Sequence, residues 1–77
     1  MAKLTPEANR AARAILRWSV RDLAEHAGVA FSTVHLFEKS GTASEATIKK
    51  IVEAYALNNV EITNGEGTGA RLSYRKG

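Results

Sequence analysis

Between Val20 and Lys39 the apolar positions fall into two short stripes separated by a glycine. Val20, Leu23, Ala24 and Ala27 recur at i, i+3, i+4 and i+7, the signature of one helical face. Gly28 can adopt a positive φ and end that helix. Val29 returns to the apolar side, and Val34 and Phe37 restart a stripe at a spacing of three. Ala24 is small where a crossing helix must approach closely. Two helices this short bury both stripes only by crossing steeply, which is the helix-turn-helix arrangement. Its second helix then projects a polar face outward.

The flanking pattern predicts two more helices and a hairpin. The first helix runs from about Thr5 to Arg17, with Thr5 as N-cap, Pro6 at the first helical position, and Ala8, Ala12, Ile15 and Leu16 as its buried stripe. Trp18 closes this segment and is expected to pack against the core. Ser19 caps the second helix, and Asp22 lies in its first turn, where the helix dipole favours an anion. The third helix spans Phe31 to Lys39 and stops at Ser40-Gly41. Ser44 caps a fourth, which runs to about Leu57 with Ile48, Ile51, Val52 and Tyr55 facing in, and Asn58-Asn59 breaks it. The period then drops to two. Val60 and Ile62 alternate with Glu61 and Thr63, and Ala70, Leu72 and Tyr74 alternate with Arg71, Ser73 and Arg75, around NGEGTG at 64–69. This reads as a β-hairpin with one apolar face. A lone hairpin is not stable, so it must lie on the helices or pair with a second subunit. The fold class is therefore mainly α, four helices and a C-terminal hairpin.

The 20–39 segment resembles the helix-turn-helix of the Cro and phage-repressor type, the XRE family of lambda-repressor-like regulators. The family's apolar places are held here by Leu23, Ala27, Val29, Val34 and Phe37, its alanine by Ala24 and its glycine by Gly28, so all seven places fit. LTPEANRAARAILRWS before the motif and SEATIKKIVEAYALNNVEITNGEGTGARL after it are similar to short members with a glycine-rich tail. The resemblance implies a helix-turn-helix DNA-binding domain over 1–59 and, over 60–77, a hairpin and basic tail that either complete the same small domain or form a dimer interface. It also implies a cytoplasmic transcriptional regulator, nucleoid-associated when bound, that represses by occupying an operator.

Composition narrows the function classes. Seventy-seven residues allow one domain with a marginal core, which a partner subunit would help. A hydrophobic fraction of 44% argues against disorder. The absence of Cys removes disulfide frameworks, thiolate nucleophiles and Cys-based zinc sites. No signal peptide and no membrane span is expected. The net charge is +3, and its distribution says more than its size. Arg10, Arg13, Arg17 and Arg21 recur at spacings of three or four, Lys39, Lys49 and Lys50 follow the motif, and Arg71, Arg75 and Lys76 end the chain.

Candidate chemistry concentrates on the third helix. With Val34 and Phe37 inward, Phe31, Ser32, Thr33, His35 and Leu36 are left facing the bases of double-stranded DNA, while Arg17, Arg21, Lys39 and Lys49 suit phosphate oxygens. Hydroxyls of Ser32 and Thr33 can donate or accept, His35 can donate to guanine, and Phe31 and Leu36 can pack on thymine methyls. Relatives commonly carry Gln at the place of Val20, Ser at that of Ala30 and a polar or basic residue at that of Phe31. The apolar residues here thin the hydrogen-bond readout. An alternative is a protein-interaction module, antitoxin-like, docking through Phe31 and Leu36. A homodimer is expected because one recognition helix contacts few base pairs, with Val60, Ile62, Leu72 and Tyr74 as its interface. Gly65, Gly67 and Gly69 read as a turn, since a phosphate-binding loop needs a following helix. Neither His26 with Asp22 nor His35 with Glu38 closes a metal site. No nucleophile is paired with a base, so no enzyme activity, metal, cofactor or small-molecule ligand is expected.

Overall fold

A computed structural model describes residues 4–63 and 69–72. Four helices, α1 (Pro6–Leu16), α2 (Val20–Ala27), α3 (Phe31–Ser40) and α4 (Glu45–Leu57), precede two strands, β1 (Val60–Thr63) and β2 (Gly69–Leu72). None of the described helices is long and apolar enough to cross a membrane. The strands pair antiparallel with Val60 opposite Leu72 and Ile62 opposite Ala70. The NGEGTG turn expected at 64–69 lies, apart from Gly69, outside the described residues, as do Tyr74, Arg75 and Lys76.

Local chemistry sets the boundaries. Thr5 Oγ1 accepts from the Ala8 N–H at 3.1 Å, with Pro6 at the first helical position. Arg17 ends α1 in the left-handed region at φ 59°, and the Trp18 N–H reaches back to the Arg13 carbonyl at 2.9 Å. Ser19 and Asp22 form a reciprocal capping box. The backbone N–H and hydroxyl of Ser19 hold the Asp22 carboxyl below the usual carboxylate range. Ser44 caps α4 through the Thr47 N–H. Gly28 has φ 72° and closes α2 onto the Ala24 carbonyl. A Cβ there meets nothing within 4 Å, so what favours glycine is backbone conformation alone.

Leu23, Ala24, Val34, Phe37, Ile51 and Tyr55 are buried together with Ala8, Ala12 and Leu4. Trp18 packs on this core, stacked on Tyr55 at 5.8 Å and on His26 at 4.1 Å. The α1 stripe differs from the expected one. Ile15 is 37% exposed, whereas Asn9 is fully buried. At about 100° per residue, the buried face of α1 is turned away from Ile15 toward Asn9 and Arg13. Those two polar residues meet partners inside.

Arg13 donates from Nε and Nη2 to the Glu38 carboxylate at 2.7 and 2.8 Å, and from Nη1 to the Trp18 carbonyl at 3.1 Å. Asn9 Nδ2 donates to the same Glu38 oxygen that receives Arg13 Nε. The Tyr55 hydroxyl donates to Asn9 Oδ1 at 2.6 Å, and burial pushes its phenol well up from the ordinary tyrosine value. Arg13 is thus consumed within the fold, which corrects its grouping with the cations flanking the motif. Glu38 turns inward to receive both Arg13 and Asn9.

The hairpin also corrects an expectation. Val60 and Ile62, expected at a dimer interface with Leu72 and Tyr74, are 3% and 8% exposed within their own chain. The strands pack on α1, and β1 also on α4. Four short helices leave one side of α1 and α4 open, and the apolar face of β1 closes it.

Leu23→Ala and Phe37→Ala should each lower stability by about 2–5 kcal/mol in thermal or urea melts, because each leaves a cavity in a buried cluster. Truncation after Asn59 should abolish the cooperative melt of the helices, since it removes Val60 and Ile62 from the core. A truncated chain retaining the full-length melting temperature would show that the hairpin adds nothing to the core.

Candidate nucleic-acid interface

Helix α3 is held from behind and open in front. Val34 and Phe37 are buried, and Glu38 is fastened to α1. With that side fixed, about 100° per residue places Phe31, His35, Lys39, Ser32 and Leu36 in that order around the opposite arc. All five are exposed, Phe31 at 48% and Leu36 at 51%. Thr33, expected with them, is half-buried at the margin. Phe31 and Leu36 therefore bracket the arc, and polar groups fill its middle.

The N-terminal end of α3 is built jointly with α2. The Arg21 guanidinium lies over the Phe31 ring, 5.5 Å from its centre. The His35 ring stacks on the same phenyl with centres 6.1 Å apart and planes within 15°. The cause is spacing: Phe31 and His35 are one turn apart on α3, and Arg21 sits in the first turn of α2, which packs across α3. Cation–π contact of this kind contributes about 0.5–1 kcal/mol at exposed sites. Ala30, the N-cap, offers no side chain to the first N–H groups. The front of this end is therefore backbone amide, phenyl, imidazole and guanidinium.

The four expected phosphate-facing cations are all exposed. Arg17 occupies the turn between α1 and α2, Arg21 the start of α2, Lys39 the last turn of α3 and Lys49 the middle of α4. Among the described residues none of the four forms an ion pair. The structure joins Arg21, Phe31 and His35 directly, and it shows no hydrogen bond from Lys49 to α3. The Arg21–Phe31–His35 stack was missed in the sequence, although the i, i+4 aromatic pair is visible there. The position of Arg21 over the ring depends on the crossing of α2 and α3, which no linear pattern encodes.

Comparison of the chain with family models, with curated proteins and with solved structures finds no match.

Leu36→Ala should leave the thermal midpoint nearly unchanged, within the stability change of about 0.5 kcal/mol usual for surface positions, and Phe31→Ala should cost only about the 0.5–1 kcal/mol of its cation–π contact. A large loss in either variant would place that side chain in the core instead.

Proposed function

We propose that this chain is a sequence-specific double-stranded DNA-binding regulator of the lambda-repressor-like helix-turn-helix kind, working in the cytoplasm as an operator-bound repressor and not as an enzyme. The observation that carries this reading is the open front of α3, with exposed Arg21 over Phe31 at its start and exposed Lys39 in its last turn, neither in an ion pair among the described residues. A helix held rigidly from behind, with a convex polar-centred front, has the shape that enters a major groove. Cations at both ends of such a helix lie where the two phosphate backbones run. Displacement of condensed counterions by these side chains then supplies affinity for any sequence.

A homodimer belongs to this proposal. One helix contacts few base pairs, and two related by a two-fold axis read half-sites about 34 Å apart. Because Val60 and Ile62 belong to the core of their own chain, the contact between subunits falls on surface outside that face.

Binding to sheared DNA across a salt series tests the reading. Affinity should fall steeply with salt, and Arg17→Ala or Lys39→Ala should each reduce the log–log slope by about one unit without changing the preferred site. His35→Ala and Ser32→Ala should change the site selected from a random DNA pool. Salt-independent binding, or none, would overturn the proposal.

A further inference from the structure

We infer that the feature this helix reads is the C5-methyl group of a pyrimidine, received by Phe31 and Leu36, with His35 as the adjoining guanine donor. The inference rests on the DNA-binding reading and names the chemistry of the target. It follows from what the arc lacks as much as from what it holds. Helix α3 contains no Asn, Gln or Arg, so neither bidentate recognition of adenine by a carboxamide nor of guanine by its own guanidinium is available. Its one carboxylate, Glu38, is turned inward to Arg13 and Asn9 and cannot accept from a cytosine amine. The hydroxyls of Ser32 and Thr33 accept and donate alike, so each discriminates less sharply than a bidentate carboxamide or guanidinium would.

What remains is apolar surface, one imidazole and, in the last turn, the Lys39 ammonium, whose place at the helix end suits a phosphate oxygen. Phe31 and Leu36 are two of the four exposed large hydrophobic residues among those described, and both lie on α3. They border the arc about 140° apart, so in a groove they face opposite sides while His35 and Ser32 face its floor. In the major groove only thymine offers an apolar group, its C5-methyl, among the four standard bases. Thymine and 5-methylcytosine present the same methyl at the same place.

Phe31 is also prepared for this contact. The Arg21 guanidinium and the His35 ring restrain its phenyl before any ligand arrives. Restraint lowers the ordering cost of binding. It also couples the two readers, because an imidazole stacked on the phenyl is presented beside it. His35 makes no hydrogen bond within the described chain, so its ring nitrogens are available to guanine N7 or O6.

The experiment uses the full chain and the tightest duplex recovered from a random DNA pool. Each thymine is replaced in turn by uracil, which removes only the methyl. At least one replacement should weaken binding about fourfold, the equivalent of losing one buried methyl-sized group at ~0.8 kcal/mol. At that place 5-methylcytosine should bind more tightly than cytosine. At each such thymine, one of Phe31→Ala and Leu36→Ala should bind the thymine and uracil duplexes equally while keeping the wild-type salt slope. Equal affinity of the wild-type protein for the thymine duplex and for one with every thymine replaced by uracil would overturn the inference and leave the DNA-binding proposal standing. That comparison needs no variant, so it holds even where a variant misfolds. A pool that yields no duplex above background, as a purely protein-docking face would give, overturns both.

Discussion

The Glu38 carboxylate is the point on which the arrangement of helices turns. It sits on α3, yet its oxygens are spent on α1, receiving two N–H groups of Arg13 and the amide of Asn9. Asn9 in turn receives the Tyr55 hydroxyl from α4. Three helices distant in sequence are therefore joined by one connected set of donors and acceptors, in which no buried side-chain polar atom among the described residues lacks a partner. Such a set adds little net stability over a well-packed apolar substitute, because desolvation offsets most of the attraction. What it imposes is geometry. Apolar contacts tolerate sliding by fractions of a turn, whereas a bidentate guanidinium–carboxylate pair accepts one orientation.

That orientation decides what α3 shows to its surroundings. Arg10 adds a hydrogen bond to the Glu38 main-chain carbonyl at 3.2 Å, so both the side chain and the backbone of this residue are tied to α1. Val34 and Phe37 supply the apolar half of the attachment. Rotation of α3 about its axis by one residue would withdraw Glu38 from Arg13 and leave a buried guanidinium unpaired, at a cost of about 3–5 kcal/mol for fully buried pairs. The pair here keeps some solvent contact, with side chains 19% and 11% exposed, so the penalty is smaller but of the same sign. The open arc is thus defined by the closed one.

Much of this was legible in the sequence because its signals are local. Caps at Thr5, Ser19 and Ser44 act over three residues, and Gly28 acts on its own backbone. The stripes on α2, α3 and α4 follow one period each, and the outward residues of α3 follow from its inward ones. The polar network was not legible because a buried Asn or Arg looks like a surface residue until its partner is known, and Asn9 and Glu38 are 29 positions apart. The same blindness misplaced Ile15. Hydrophobicity alone centres the α1 stripe on Ala8, Ala12 and Ile15, while the hydrogen bonds of Asn9 and Arg13 rotate the helix past it. Leu4 was overlooked because a single apolar residue before a helix carries no period.

The fate of the hairpin shows how size governs the use of apolar surface. An alternating strand beside a small helical unit can serve its own core or a second copy, and its sequence is the same in both cases. Four helices of eight to thirteen residues cannot enclose Ile51, Tyr55 and Leu4 unaided. Intramolecular closure needs no partner and loses no translational freedom, so it takes the strand first. The apolar residues left over are few, and Phe31 and Leu36 both stand on α3, whose other side carries buried Val34 and Phe37 and the inward Glu38. An apolar side chain left exposed beside its own restraining cation and imidazole is surface with an assigned orientation, which distinguishes it from the isolated, unsupported exposure of Leu57.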